Sequence, residues 1–196
     1  YNLEAAKAGG CETLVSFGGA FSNHIAAVAA AGALCNFKTV GIIRGEDLES
    51  KIEANPTLQY AKNLGMAIKF VSRETYRQKT DPDYLEALKS NYPNAYVIPE
   101  GGTNDLAIKG CQEILADTDK EFDIICCAVG TGGTISGLIN SSQSHQKVLG
   151  FPALKGDFLT DEIRKFAQQN NWELVIDYHF GGYAKINETL IAFINQ

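Results

Sequence analysis

The chain has 196 residues, of which 45% are hydrophobic and 20% charged, a composition typical of a globular protein with one domain or two small lobes. Its formal net charge of -6 is spread along the sequence without a cluster of lysine and arginine, which argues against nucleic acid as a partner. No apolar run reaches the roughly 18 residues of a membrane-spanning helix, and the first residues lack the layout of a signal peptide.

The five cysteines show no C-x-x-C spacing, which argues against a disulfide framework and against a zinc site. We therefore expect a soluble, cytoplasmic protein that binds no metal. The first residues have the pattern of the end of a helix, and the last residues stop at a helical turn without a cap. We expect the sequence to be truncated at both ends.

Short apolar runs alternate along the chain with longer segments of helical period. The strand candidates are residues 13–17, 39–43, 67–71, 95–98, 124–129, 148–151 and 174–177. The helix candidates are residues 23–33, 56–64, 83–91, 106–115, 133–140, 161–169 and 188–194. Strands that alternate with helices predict parallel sheets with crossover helices, so the fold class is α/β. A boundary between two lobes is expected near Tyr92 and Pro93, where a helix ends and a strand begins.

The first glycine-rich turn follows the first strand candidate and has the sequence FGGAFSNHIAAVAAAG, residues 17–32. Ser22, Asn23 and His24 place polar side chains at the start of an alanine-rich helix. One such side chain is enough to cap a helix, a role worth roughly 1 kcal/mol. The turn is therefore either a capped helix start or a site for a carboxylate or a cofactor, and the sequence leaves both interpretations open.

The second glycine-rich turn, IPEGGTNDLAIKG, covers residues 98–110, where a strand ends and a helix begins. Ligands of α/β proteins gather at the carboxyl ends of the strands. We therefore expect this turn to lie near a ligand.

The third glycine-rich turn, AVGTGGTISGL, covers residues 128–138 and joins an apolar strand to a helix. Glycines at positions 130, 132 and 133 let the backbone approach a ligand, and the hydroxyls of Thr131 and Thr134 can donate to phosphate oxygens. The amides of the first helical turn add to such an anion-binding site. The dinucleotide fingerprint, the P-loop and the nucleophile elbow do not match. A phosphate-bearing ligand is the hypothesis, and a tight turn without a ligand is the alternative.

Taken together, these motifs resemble one family of enzymes that use pyridoxal 5'-phosphate (PLP). The motifs are SNH (22–24), VGIIRGE (40–46), IPEGGTN (98–104), GTGGTISGL (130–138), GFPALKG (150–156) and FGGYAK (180–185). Their order is similar to that of the fold-type II family that joins D-cysteine desulfhydrases to 1-aminocyclopropane-1-carboxylate (ACC) deaminases. The resemblance covers nearly the whole chain.

The resemblance implies a tryptophan synthase β-like fold, with two open, twisted, mainly parallel sheets flanked by helices. Residues 1–93 would form a smaller lobe on the side of the substrate carboxylate. Residues 94–196 would form part of a larger lobe that binds the PLP phosphate. The resemblance also implies a homodimer.

The resemblance further implies roles for individual residues. Direct contacts to the PLP phosphate are implied for Thr131, Gly132, Gly133 and Thr134, and a hydrogen bond to the phenolic oxygen of the cofactor for Asn23. Ser22, Asn23 and His24 would bind the substrate, with Ser22 and His24 around its carboxylate and Ser22 also active in proton transfer. Tyr183 resembles an active-site aromatic residue of the substrate pocket, although a tyrosine after two glycines is equally compatible with an apolar wall.

In the family, the lysine that forms the Schiff base with PLP precedes a Tyr-x-Leu stretch similar to Tyr1-Asn2-Leu3. Lys7 has the pattern of a helical surface residue and does not match that motif. We therefore assign no catalytic lysine, and we predict that the sequence as given has no turnover.

The function implied by the resemblance is the deamination of a small amino acid. The substrate is either D-cysteine, which gives pyruvate, sulfide and ammonia, or ACC, which gives 2-oxobutanoate and ammonia. A fold-type II amino-acid racemase or dehydratase is an alternative, and a racemase needs a second base on the opposite face of PLP. A non-catalytic α/β protein that binds a phosphorylated metabolite is a further alternative, followed by a phosphosugar or nucleotide enzyme.

Overall fold

The computed structural model describes residues 1–183 and 185–196, and the chain divides into two compact units. Unit 1 is Tyr1–Gly102 and unit 2 is Thr103–Gln196. The boundary therefore falls after residue 102, and the expected division into 1–93 and 94–196 is displaced. The strand near residue 95 pairs with the first strand of the chain, Thr13 opposite Ala95, and so belongs to the first unit.

Unit 1 is built on a parallel sheet with the strand order β3-β2-β1-β4. Its strands are β1 (Thr13–Gly18), β2 (Lys38–Arg44), β3 (Ala67–Val71) and β4 (Ala95–Ile98). Its helices are α1 (Asn2–Ala8), α2 (Asn23–Cys35), α3 (Pro56–Asn63), α4 (Arg73–Arg77) and α5 (Pro82–Asn91), with 3₁₀ segments at Glu46–Ala54 and Glu100–Gly102. The 3₁₀ segments and α4 were not expected from the sequence.

The core of unit 1 lies on both faces of this sheet. One apolar cluster joins Leu14 of β1 to Ile25 of α2, and a second cluster on the other face contains Val15 and Phe17. Successive side chains of a strand point to opposite faces, so a strand covered on both sides is apolar throughout. The buried residues of β1 fit this rule except for Ser16, and their packing holds the carboxyl end of the strand, where the first glycine turn begins.

Gly32 brings α2 close to β2. A Cβ atom at this position would lie 2.1 Å from Cγ2 of Thr39. We expect Gly32→Ala to lower the free energy of unfolding by about 2 kcal/mol, because overpacking a core costs about that much. Chemical denaturation measures the loss. The double variant Gly32→Ala/Thr39→Ser, compared with Thr39→Ser alone, lacks the obstructing methyl group and should lose less, and an undiminished loss would contradict this packing.

Unit 2 contains a parallel sheet with the order β5-β6-β7. Its strands are β5 (Ile124–Val129), β6 (Lys147–Pro152) and β7 (Trp172–Leu174). Its helices are α6 (Asp105–Cys111), α7 (Gly133–Ser141), α8 (Phe158–Arg164) and α9 (Glu188–Ile194), with 3₁₀ segments at Asp117–Glu121 and Ile176–Tyr178. The last strand candidate, 174–177, lies too late, since the strand ends at Leu174 and a 3₁₀ segment follows.

One face of the second sheet carries the core of unit 2, which includes Val129, Ile135 and Val148. α7 packs against this core along almost its whole length. Gly137 lets α7 approach α6 closely, because a Cβ atom on Gly137 would lie 2.3 Å from the Cβ atom of Cys111. The α/β class with parallel strands is thus confirmed. Within the described part of the chain, no helix combines the length and the apolar character that crossing a membrane requires.

Candidate active site

The first glycine turn, which we call the SNH turn (residues 18–24), starts where β1 ends. Gly18 lies so close to α2 that a Cβ atom would be 2.5 Å from Cγ1 of Ile25 and 2.8 Å from Oγ of Ser22. Ser22 caps α2, since its Oγ accepts a hydrogen bond from the amide of Ile25 at 3.3 Å. The cap interpretation therefore holds for Ser22, and it leaves Asn23 and His24 without a capping role.

The exposed end of α2 has the chemistry of an anion site. The amides of Asn23 and His24 lie in the first turn, where no carbonyl of the helix accepts them and the helix dipole is positive. The hydroxyl of Ser22 accepts from the backbone, so its own hydrogen can still donate to a ligand. Asn23 is exposed beside it. These groups together can bind a carboxylate.

The Nε2 edge of the His24 ring faces β1, inside unit 1. Its Nε2 atom lies 2.7 Å from Oγ of Ser16, and the same Oγ lies 2.9 Å from the carbonyl oxygen of Ile98. Burial lowers the pKa of His24 from 6.5 to about 4, although the negative charge of Glu100 opposes the shift. The imidazole is therefore neutral at neutral pH. Sequence reasoning missed Ser16, which is fully buried in an apolar strand.

A second cluster of polar side chains lies near the carboxyl ends of β2 and β4. The hydroxyl of Tyr76 donates to Oε1 of Glu100 at 2.6 Å, and Nζ of Lys79 lies 3.5 Å from Oε2 of the same carboxylate. Lys79 and Arg44 also lie over the Tyr76 ring, 5.1 and 5.6 Å from its centroid. Burial and the nearby carboxylate raise the pKa of Tyr76 well above its usual range. These contacts hold the turn that leads to Gly102.

In unit 2, the third glycine turn forms the glycine loop (residues 130–134), which follows β5. Gly132 has φ +92° and begins α7 without a side-chain cap. A Cβ atom on Gly133 would lie 2.9 Å from Oγ1 of Thr103, and that hydroxyl is 2.7 Å from Oγ1 of Thr131. The contact between Thr103 and Thr131 joins the second and third glycine turns, and the sequence pattern did not predict it.

Tyr183 lies at the end of a different turn. It is 44% exposed and follows Gly181 and Gly182, which both have positive φ. The next residue of the FGGYAK motif, Ala184, lies outside the described residues. The role of Tyr183 stays a prediction. Over the described ranges, no group of three or more histidine, cysteine, aspartate or glutamate side chains is arranged to hold a metal ion.

Comparison with known proteins identifies the family. Residues 1–167 match the family described as pyridoxal-phosphate dependent enzyme. The chain belongs to this family of PLP-dependent enzymes. The family match covers β1, the SNH turn and the glycine loop.

Individual relatives agree with the family. A Pyrococcus abyssi protein with the provisional name 1-aminocyclopropane-1-carboxylate deaminase is 27% identical over 208 residues, which cover 95% of this chain and 62% of that protein. The bifunctional D-cysteine desulfhydrase/1-aminocyclopropane-1-carboxylate deaminase of Arabidopsis thaliana, a mitochondrial protein, is 29% identical over 142 residues, 65% of this chain and 35% of that protein. A crystal structure of an ACC deaminase homologue covers 100% of this chain and 64% of its own, with a TM-score of 0.80 and 23% identity.

These matches confirm the resemblance to the D-cysteine desulfhydrase and ACC deaminase family, and with it the fold-type II architecture. The chain spans less than two thirds of the length of these relatives.

The glycine loop fits the phosphate group of PLP. The uncapped start of α7 leaves first-turn amides for an external acceptor, and such amides at the positive end of a helix dipole bind phosphate. A Cβ atom on Gly130 would meet nothing within 4 Å, so the space beside the loop is open. Thr131 and the exposed Thr134 belong to the same loop, and their hydroxyls can donate to phosphate oxygens.

Proposed function

We propose that this chain supplies cofactor-binding and substrate-binding residues of a PLP-dependent enzyme that deaminates a small amino acid, either D-cysteine or ACC. The single observation that carries the proposal is the uncapped glycine loop at the start of α7, in a chain that belongs to the PLP-dependent family. The class of substrate is taken from the names of its relatives and from the reactions that those names denote.

In this proposal the glycine loop binds the phosphate through the amides of Gly132 and Gly133 and the hydroxyls of Thr131 and Thr134. PLP, when bound, withdraws electrons from the Cα atom of an amino acid joined to it. The protein then has to hold the phosphate and orient the carboxylate, and it must place a proton carrier near the reacting carbon.

The SNH turn is proposed to supply the other contacts. Asn23, exposed at the first turn of α2, hydrogen-bonds the phenolic oxygen of the cofactor and borders the substrate. Ser22 donates its free hydroxyl hydrogen to the carboxylate and takes part in proton transfer, while its oxygen stays bound to the helix amide. His24 is proposed to contact the substrate as well. Tyr183 is proposed as an active-site aromatic residue of the pocket.

A charge reversal in the glycine loop tests the cofactor. Gly130→Asp should weaken PLP binding at least 10-fold relative to Gly130→Asn, because a carboxylate there repels the phosphate, and 10-fold corresponds to about 1.4 kcal/mol. The asparagine variant has nearly the same size, and the position has open space. Fluorescence titration with PLP measures affinity. Pyridoxal, which lacks the phosphate, should bind both variants equally, and equal PLP affinity for both would refute the phosphate role of the loop.

Product analysis tests the substrate. In a preparation that carries this chain together with a PLP-anchoring lysine, D-cysteine is expected to yield pyruvate and sulfide, or ACC to yield 2-oxobutanoate. L-cysteine and D-serine serve as controls for stereochemistry and for the leaving group. Interconversion of enantiomers without ammonia release would favour a racemase, and PLP binding without turnover of any of these compounds would favour a binding protein.

The assembly and the location are also part of the proposal. We propose a homodimer in the cytoplasm, as the family resemblance implies. Sedimentation equilibrium tests the first statement and cell fractionation tests the second.

A further inference from the structure

Ser16 is a buried hydroxyl in an otherwise apolar strand. It lies in the middle of β1, fully buried, opposite Ile98 of β4 in the strand register. A buried hydroxyl is costly unless it is hydrogen-bonded. Its Oγ has two close polar neighbours, Nε2 of His24 at 2.7 Å and the carbonyl oxygen of Ile98 at 2.9 Å.

Counting hydrogens settles the direction of both bonds. A serine hydroxyl has one hydrogen to donate, whereas a carbonyl oxygen can only accept. The hydrogen must therefore go to Ile98, since otherwise two oxygens would face each other at 2.9 Å without a hydrogen. The carbonyl of Pro99, 3.5 Å away, is likewise only an acceptor. The hydrogen in the 2.7 Å contact thus belongs to Nε2 of His24.

The other ring nitrogen is left as an acceptor. The ring is neutral, so a hydrogen on Nε2 leaves Nδ1 with a lone pair. Nδ1 faces Gly102, where a Cβ atom would lie 3.2 Å from it and 3.0 Å from Cε1. The amide of Gly102 donates to Pro99 at 2.9 Å and is not available to the ring. Among the residues that the structure describes, none hydrogen-bonds Nδ1.

We propose that Ser16 is a positioning residue that fixes the ring of His24 as the Nε2–H tautomer, so that Nδ1 is presented as a hydrogen-bond acceptor beside the SNH turn. An acceptor binds an N–H or O–H group of a ligand and repels a carboxylate oxygen. If the SNH turn holds the substrate, as the proposed function states, the carboxylate is bound by Ser22 and the helix amides. His24 then accepts from a donor group. This differs from the carboxylate contact that the family resemblance implies for His24.

Nitrogen-15 NMR of the histidine rings tests the tautomer directly. The chain has three histidines, so His145→Gln and His179→Gln assign the signals of His24 by elimination. At neutral pH we expect a protonated Nε2 and an unprotonated Nδ1. Ser16→Ala should give a mixture of tautomers, and Ser16→Thr, which keeps the hydroxyl, should restore the single form.

A matched control removes a different buried hydroxyl. Ser142, which donates to Ile139, is also buried, and Ser142→Ala should leave the His24 signals unchanged. A hydrogen on Nδ1 in the unsubstituted protein, or an unchanged ring in Ser16→Ala, would overturn the proposal. The experiment uses neither PLP nor an amino acid. A failure of the proposed function would appear in the PLP titration and would leave this result unaffected.

Discussion

Gly18→Ala is expected to lower the free energy of unfolding by about 3 kcal/mol, at the upper end of the usual cost of overpacking. The added Cβ atom would lie 2.5 Å from Cγ1 of Ile25 and 2.8 Å from both Cβ and Oγ of Ser22. Neither neighbour can rotate away easily, because Ile25 is fully buried and Ser22 is tied to the first turn of α2. The start of the helix has to move away from β1. Chemical denaturation measures the loss.

The neighbouring glycine provides the control. A Cβ atom on Gly19 would meet only Nη2 of Arg44, at 3.9 Å, which is ordinary contact. Gly19→Ala should therefore change the free energy of unfolding by less than about 1 kcal/mol. Gly18→Ala should also disturb the NMR signals of His24, while Gly19→Ala preserves them. Equal stability of the two variants would show that the close approach at Gly18 does not fix the SNH turn.

Features of the site that depend on local sequence were predictable. The three glycine turns were expected because glycine and polar residues follow apolar runs of strand length, and strand ends face ligands in α/β folds. β1, β2, β3, β4 and β5 lie within a residue or two of their predicted positions. The first turn of α2 was predicted as a cap or as a ligand site. Ser22 is its cap, and the ligand hypothesis for Asn23 and His24 is still a proposal.

Features that depend on distant pairing were not predictable from the pattern. The pairing of β1 with β4 joins residues far apart in sequence, and it moved the boundary between the units. The contact between Tyr76 and Glu100 has no periodic signature either, since a loop, a helix and a strand separate the two residues. Ser16 carried a weak signal, a single polar residue in an apolar strand. The role of Ser16 becomes clear only in the folded chain, where α2 brings His24 within hydrogen-bonding distance of it.

The stability of unit 1 should fall as the pH is lowered from 6.5 to about 4, and His24 should cause part of this fall. Its pKa is 6.5 in the unfolded chain and about 4 in the folded one. Between these values the unfolded state binds a proton that the folded state does not, so protonation favours unfolding. Above pH 6.5 the contribution is fully present, and below about pH 4 no further loss arises from this residue.

The size of the effect follows from the shift. A pKa difference of about 2.5 corresponds to at most about 3 kcal/mol at 1.36 kcal/mol per unit. The charge of Glu100 favours the protonated ring, and its opposing influence is already contained in the pKa of about 4. Chemical denaturation curves at pH 7, 5.5 and 4 measure how the free energy of unfolding depends on pH. His24→Gln cannot titrate and should have a shallower dependence on pH, whereas His145→Gln, at an exposed position, should keep that of the unsubstituted protein. Parallel curves for the two variants would mean that the ring of His24 is not held neutral by burial. The contact with Ser16 would then have to be formed by a charged imidazole.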